Sequence, residues 1–167
     1  MAYIPTQENP FFYAIQEDYK KTGVFKWTPG QWNMGIEMSS LAQNILNNLE
    51  SQPKPGGFLK AFDPLTGETK WSVPIPHYWN GGVLGTAGGL VFQGDALGMF
   101  SAYDKETGER LWEFNTYTSM LAPPITFEID GEQYVSILTG SGGGDLFGGE
   151  PLPVSYTHLT LPTRLMV

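Results

Sequence analysis

The chain has 167 residues and a formal net charge of −8, so it lacks the clustered Lys and Arg that neutralise phosphates, and no nucleic-acid partner is expected. It contains no cysteine, which excludes a disulfide framework, a thiolate metal site and a C-x-x-C-H haem attachment. With 21 Gly and 13 Pro, about one residue in five is of these types, against an average of about 12%. That points to many short strands joined by tight turns, an all-β class. No apolar run approaches the ~20 residues that would cross a bilayer, and residues 1–10 show no charged-then-apolar leader.

Ala2-Tyr3-Ile4-Pro5 reads as a strand, and Phe11 to Ile15 continues an apolar and aromatic segment, with Pro5 and Pro10 favouring edge or loop-bounded positions. From Lys20 to Glu37 the Gly, Pro and Trp content predicts an ordered loop. Ser39-Ser40 then precede Leu41, Ile45, Leu46 and Leu49, one apolar stripe behind a Ser N-cap, which predicts a short inserted helix over 39–50. Residues 51–57, with two Pro and two Gly, form a linker.

The chain next says the same thing twice. GFLKAFDPLTGETKW from Gly57 and GMFSAYDKETGERLW from Gly98 align without a gap at an offset of 41 residues, sharing Gly57/Gly98, Ala61/Ala102, Asp63/Asp104, Thr66/Thr107, Gly67/Gly108, Glu68/Glu109 and Trp71/Trp112. A period of this length marks a unit that cannot bury its apolar face alone and must stack on its neighbours, as propeller blades do. Each copy reads as a hairpin closed by Asp-x-x-Thr-Gly, in which Asp63 or Asp104 accepts from backbone amides and Gly67 or Gly108 takes positive φ. Trp71 and Trp112, recurring at one fixed place, read as blade-to-blade staples, each with a large apolar body and an indole N–H to donate. Asp63 and Asp104, in equivalent turns, are not a catalytic pair. At ~40 to 45 residues per four-stranded blade the chain holds fewer than four blades, too few to close a ring of ~4 to 8.

Between the copies stands a segment that has no counterpart after Trp112: Trp79-Asn80-Gly81-Gly82, followed by strands over 83–87 and 89–94. After the second copy, strands are expected near 124–129 and 133–139 around Asp130-Gly131, followed by Gly140-Ser141-Gly142-Gly143-Gly144. In a repeat architecture, structural positions recur while binding positions differ between repeats. Trp79 offers a flat apolar face, Asn80 a donor and an acceptor, and the glycines close backbone approach. Such a set suits a planar polar cofactor; a tight turn around a buried Trp is the other reading.

The docking motif A-x-D-x-x-T-G-x-x-x-W at 61–71 and its copy at 102–112, with WNGGVLGTAGGLVFQG at 79–94 and DGEQYVSILTGSGGG at 130–144, resembles the C-terminal blades of the pyrroloquinoline-quinone (PQQ)-dependent alcohol dehydrogenases, the methanol and ethanol dehydrogenase family. The resemblance covers roughly residues 2–150. It implies a partial β-propeller, about three of eight four-stranded blades, with residues 151–167 as a tail outside it. It further implies a periplasmic enzyme that binds PQQ with a calcium or lanthanide ion, oxidises a primary alcohol by hydride transfer to PQQ, passes electrons to a cytochrome c or ubiquinone, and forms a homodimer in some members. Trp79, Asn80 and Gly81 match the family segment that lines the PQQ pocket, and Gln7 aligns with a position where methanol dehydrogenases have a cofactor-contacting Asn. The family's metal-ligating Glu and Asn and its catalytic Asp have no counterparts in this chain, so no catalytic or metal-binding residue is assigned and the chain alone is expected to be inactive. Many relatives have a Trp near Ser141 to Gly144, and this chain has none, so a wall of the substrate pocket differs. A non-catalytic propeller scaffold of the same superfamily is the alternative. The tail from Val154, with no Gly and no repeat match, resembles translated adapter sequence or a disordered terminus, which sets His158 aside.

Overall fold

A computed structural model describes residues 1–9, 14–30, 33–37, 56–140 and, for the backbone, 158–162. The chain divides into two units, one of Met1–Glu8 with Pro55–Val167 and one of Asn9–Lys54. Among the described residues the regular structure of the first unit is all β. Strands β1 (Ala2–Glu8), β2 (Gly56–Asp63) and β3 (Glu68–Ile75) form a three-stranded antiparallel sheet in that order. Strands β4 (Asn80–Gly85), β5 (Leu90–Asp95), β6 (Met99–Asp104) and β7 (Arg110–Asn115) form a four-stranded meander, a complete blade. Strands β8 (Ile125–Ile129) and β9 (Glu132–Leu138) begin a third sheet, whose far edge carries β10 (His158–Pro162).

The 41-residue repeat is a repeat of hairpins, β2–β3 and β6–β7, each with a β-bulge at the same place, Ala61/Phe62 and Ala102/Tyr103. The turn chemistry is as expected. Asp63 Oδ1 accepts from the Leu65 amide, and Asp104 Oδ1 accepts from the amides of Glu106 and Thr107 and from the Thr107 hydroxyl. Gly67 and Gly108 stand at φ 76° and 75°. These backbone bonds hold both carboxyls below the ordinary Asp range; at Asp104 the Thr107 amide acts first, at Asp63 the Leu65 amide.

Stacking supplies the burial that one sheet cannot. A first core joins Leu59, Ala61, Trp71 and Ile75 of the first sheet to Val91 and Tyr103 of the second. A second joins Phe92, Phe100 and Ala102 of the second sheet, with Met120, to Val135 and Ile137 of the third. Leu59 and Phe100 are repeat equivalents, as are Ala61 and Ala102, so each repeat presents the same face to the sheet that follows it. Being covered on both sides, β5 is buried from Val91 through Asp95 and reads in the sequence as an apolar run, not an alternation.

Four expectations need correction or qualification. The loop over 20–37 begins inside an unanticipated helix, α1 (Glu17–Thr22), with Glu17 and Asp18 in its first turn, Lys20 and Lys21 in its last, and Gly23 as its left-handed C-cap. Strand β4 starts at Asn80, not at 83, because a bulge between Asn80 and Val83 absorbs the two glycines. The tail, expected outside the fold, pairs through 158–162 with β9, whose open edge offers unpaired backbone groups. Trp112 does not repeat the docking of Trp71. The helix over 39–50, Phe11 to Tyr13 and Ser141 to Gly144 lie outside the described residues.

Candidate functional site

The end of β1 and the start of β4 converge on the segment that breaks the repeat. Gln7 pairs across the first sheet with Gly57. A Cβ on Gly57 would collide with the His77 carbonyl and lie 2.5 Å from Asn80 Nδ2. The first sheet therefore touches the His77–Asn80 segment through a glycine backbone, and Gln7 sits one strand away. Gln7 is exposed, while Trp79 and Asn80 are half-buried and Gly81 is buried.

His77 organises this segment. Its carbonyl accepts from Asn80 Nδ2 at 2.6 Å, and its Nδ1 accepts from the Trp79 amide at 3.1 Å, which fixes the orientation of the imidazole and leaves Nε2 as the protonated nitrogen of the neutral ring. Its ring stacks on Tyr78 at 4.5 Å, and Tyr78 in turn meets Trp79 at 6.0 Å, tilted by 47°. Three aromatic rings in succession form a ledge ahead of the strand.

Gly81 is held from the other side. Its carbonyl accepts from Gln93 Nε2 at 3.1 Å, and a Cβ on Gly81 would lie 2.7 Å from the Met120 carbonyl and 2.8 Å from that of Gly94. No residue but glycine fits there without moving backbone. Gln93 is 2% exposed and its Oε1 has no hydrogen-bond partner among the described residues; the buried Oδ1 of Asn80 likewise has none among them. Buried acceptors left open are uncommon because the desolvation is uncompensated, and they mark places where a donor belongs.

All four predicted positions thus fall in one neighbourhood: Gln7 reaches it through Gly57, and Trp79, Asn80 and Gly81 are consecutive. Sequence reasoning missed His77, Gln93 and Gly57. His77 is the only histidine outside the tail, and Gln93 interrupts the apolar run Leu90-Val91-Phe92, so both carried a signal. Gly57 stood out in the sequence only as a repeated residue. Its equivalent, Gly98, uses a positive φ of 97°, whereas Gly57 is needed for close approach. Among the described residues no three His, Asp or Glu side chains converge as a metal site. In the second unit, a cleft of about 310 Å³ is lined by Glu17, Asp18, Lys26 and Glu37 among others, and none of the predicted site residues belongs to it.

The family model "PQQ: Glucose/ethanol/alcohol dehydrogenase, beta-propeller domain" matches residues 73–135, from β3 into β9. Quinohemoprotein alcohol dehydrogenase ADH IIB of Pseudomonas putida is 50% identical over 154 residues, covering 91% of this chain and 20% of its own length. The dehydrogenase subunit of the alcohol dehydrogenase (quinone) of Acetobacter aceti is 37% identical over 151 residues, covering 86% and 19%. The crystal structure of quinohemoprotein alcohol dehydrogenase from Comamonas testosteroni superposes with a TM-score of 0.63 at 36% identity, covering 83% of this chain and 20% of that one. The chain spans about one fifth of the length of the curated relatives it matches. On these matches the chain belongs to the β-propeller domain family of the PQQ-dependent alcohol dehydrogenases.

Proposed function

We propose that this chain supplies adjoining blades of a PQQ-dependent alcohol dehydrogenase, and that Trp79, Asn80, Gly81 and Gln7 form one wall of its cofactor site. The observation that carries the family-level reading is the 50% identity to the Pseudomonas putida quinohemoprotein alcohol dehydrogenase across 91% of the chain. The local support is chemical. The open Oδ1 of Asn80 is a buried acceptor, the kind of atom that the pyrrole N–H of PQQ would satisfy, and the neighbouring aromatic ledge suits a flat conjugated ring.

When bound, PQQ would serve as the hydride acceptor for the alcohol carbon, the redox chemistry belonging to the cofactor and not to the protein. This chain's own residues would orient and desolvate it. His77 fixes the Asn80 amide, Gln93 fixes the Gly81 carbonyl, and the Gly81 backbone keeps the bulge in one shape. The calcium or lanthanide ion, its ligands and the aspartate base would come from blades outside this chain, so the isolated chain should not turn over. The whole enzyme would act in the periplasm on a primary alcohol. Its electron acceptor would be a cytochrome c or a quinone.

The test is a chimera in which residues 2–140 replace the matching segment of the Pseudomonas putida enzyme. The expected result is PQQ uptake, seen as the cofactor's absorbance co-eluting with protein, and alcohol-dependent dye reduction. Asn80→Leu in that chimera should weaken PQQ binding about tenfold, the equivalent of about 1.4 kcal/mol. A chimera that folds and binds no PQQ would overturn the assignment.

A further inference from the structure

Asn80-Gly81 is the one Asn-Gly step in the sequence, and it lies on the bulge that opens β4. An asparagine followed by glycine is chemically labile, because no side chain shields the next backbone nitrogen from the asparagine's side-chain carbonyl carbon. A bulkier residue after the Asn would protect it. Here none fits: a Cβ on Gly81 would lie 2.7 Å from the Met120 carbonyl and 2.8 Å from that of Gly94. The packing that makes residue 81 a glycine therefore leaves Asn80 with its reactive neighbour.

The fold also holds the reaction back. β4 begins at Asn80, and an extended residue, with ψ of about +135°, carries the following nitrogen away from its own side-chain carbon, so ring closure needs a local rotation. Two contacts oppose that rotation. Asn80 Nδ2 donates to the His77 carbonyl at 2.6 Å, and Gln93 Nε2 donates to the Gly81 carbonyl at 3.1 Å. Gly81 and Gln93 are both buried, so the second bond is shielded from competing water.

We propose that Asn80-Gly81 is a self-modifying site, which deamidates through a succinimide whenever the His77 and Gln93 contacts open together. The Gly81 nitrogen attacks Asn80 Cγ and bonds to it; the Cγ–Nδ2 bond breaks, and Nδ2 leaves as ammonia with the Gly81 amide proton. Water then opens the ring at either carbonyl, giving aspartate or isoaspartate at position 80 with no change in oxidation state. Neither product fits back. A carboxylate cannot donate to the His77 carbonyl, and it stands in register opposite Asp95, where like charges repel. Isoaspartate adds a backbone atom ahead of Gly81, where the Met120 and Gly94 carbonyls leave no room. This chemistry does not depend on the cofactor reading.

The experiment follows the full 167-residue chain in heavy-oxygen water at neutral pH, folded and in urea, by peptide mapping and enzymatic methyl labelling of isoaspartate. The expected result is heavy oxygen and isoaspartate accumulating at position 80, roughly tenfold or more faster in urea than in the folded chain. Asp130-Gly131, which can close the same ring by losing water, maps to a different peptide and releases no ammonia. Asn80→Gln should abolish the signal at this position, because its longer side chain closes a larger ring far more slowly. Gln93→Met removes the donor to the Gly81 carbonyl at similar volume and should raise the folded-state rate roughly fivefold, the opening factor of one hydrogen bond. Hydrogen exchange of the wild-type amides from Asn80 to Val83 measures the same opening without a variant, and its protection should match the slowing of deamidation within about tenfold. No modification at position 80 in urea, equal rates folded and in urea, a folded Gln93→Met chain that reacts at the wild-type rate, or exchange protection unrelated to the slowing would each overturn the proposal.

Discussion

Trp71 and Tyr3 donate to one and the same acceptor, the backbone carbonyl of Lys105, at 3.0 and 3.2 Å, and their rings stack at 5.8 Å. Two strands of the first sheet are thereby tied to one turn of the second. Trp71→Phe keeps most of the apolar contact and loses one hydrogen bond, and should lower stability by about 1 kcal/mol. Trp71→Ala also leaves a cavity between two sheets and should lower it by about 3–5 kcal/mol. Trp112→Ala, at the exposed equivalent, loses only an edge contact with Phe100 and a stack on Phe114 and should lower it by about 1–2 kcal/mol, less than Trp71→Ala. Urea unfolding of the three variants checks the order.

Gly67 and Gly108 have the same φ and opposite surroundings, which makes them a controlled pair. Gly67→Ala meets open space and should lower stability by only the left-handed backbone term, about 1–2 kcal/mol. Gly108→Ala adds a contact at 2.8 Å with the docked indole, so it should be clearly worse, and Trp71→Ala should relieve the excess. A double-mutant cycle reads that coupling directly.

How much of this was legible follows the same division. The hairpins, their bulged turns and the Trp71 staple were written into repeated residues, because turn geometry needs Asp, Thr and Gly at fixed offsets. The different fates of Trp71 and Trp112 were not, since identical residues cannot report whether a neighbouring sheet stands opposite them. Trp79-Asn80-Gly81-Gly82 stood out by failing to repeat, and the structure brings Gln7 to it through Gly57. What the sequence hid was the support: His77 acts through its backbone carbonyl and ring, and Gln93 through a contact twelve residues away, neither of which has a local spacing rule. The short helix α1 was readable from its charged ends and Gly23 but lacks the apolar stripe that announces a longer helix.

Gly57 offers a test of the site that needs no cofactor. A Cβ there would strike the His77 carbonyl, the acceptor of the Asn80 amide, so Gly57→Ala should push His77 away and break that bond. The expected loss is about 1–3 kcal/mol, the range for overpacking, with a changed Trp79 emission spectrum. Unchanged stability and emission would show that this segment yields freely and does not hold Asn80 in place.

Asp95 and Asp104 should give opposite pH responses. Asp104 is held below its ordinary pKa by backbone amides, so its contribution is present above the unfolded value and is lost as pH falls through the lower folded one. Asp95 is 7% exposed, and burial pushes its carboxyl up, against the amides of Met99, Leu97 and Gly98 and the charge of Arg110, which pull it down. Its raised value means that the protonated form is favoured in the fold, so stability is lost as pH rises from the ordinary Asp value through the folded one. The Leu97 and Met99 amides both donate to Oδ1, which an amide oxygen can replace. Asp95→Asn should therefore raise stability at neutral pH and flatten the profile over the window just above the ordinary Asp pKa. Asp104→Ala should do the reverse at neutral pH and remove part of the acid-side decline. Thermal melts of both variants between acid and neutral pH separate the two, and an Asp95→Asn variant less stable than wild type at neutral pH would show that the ionised carboxyl is what the turn requires.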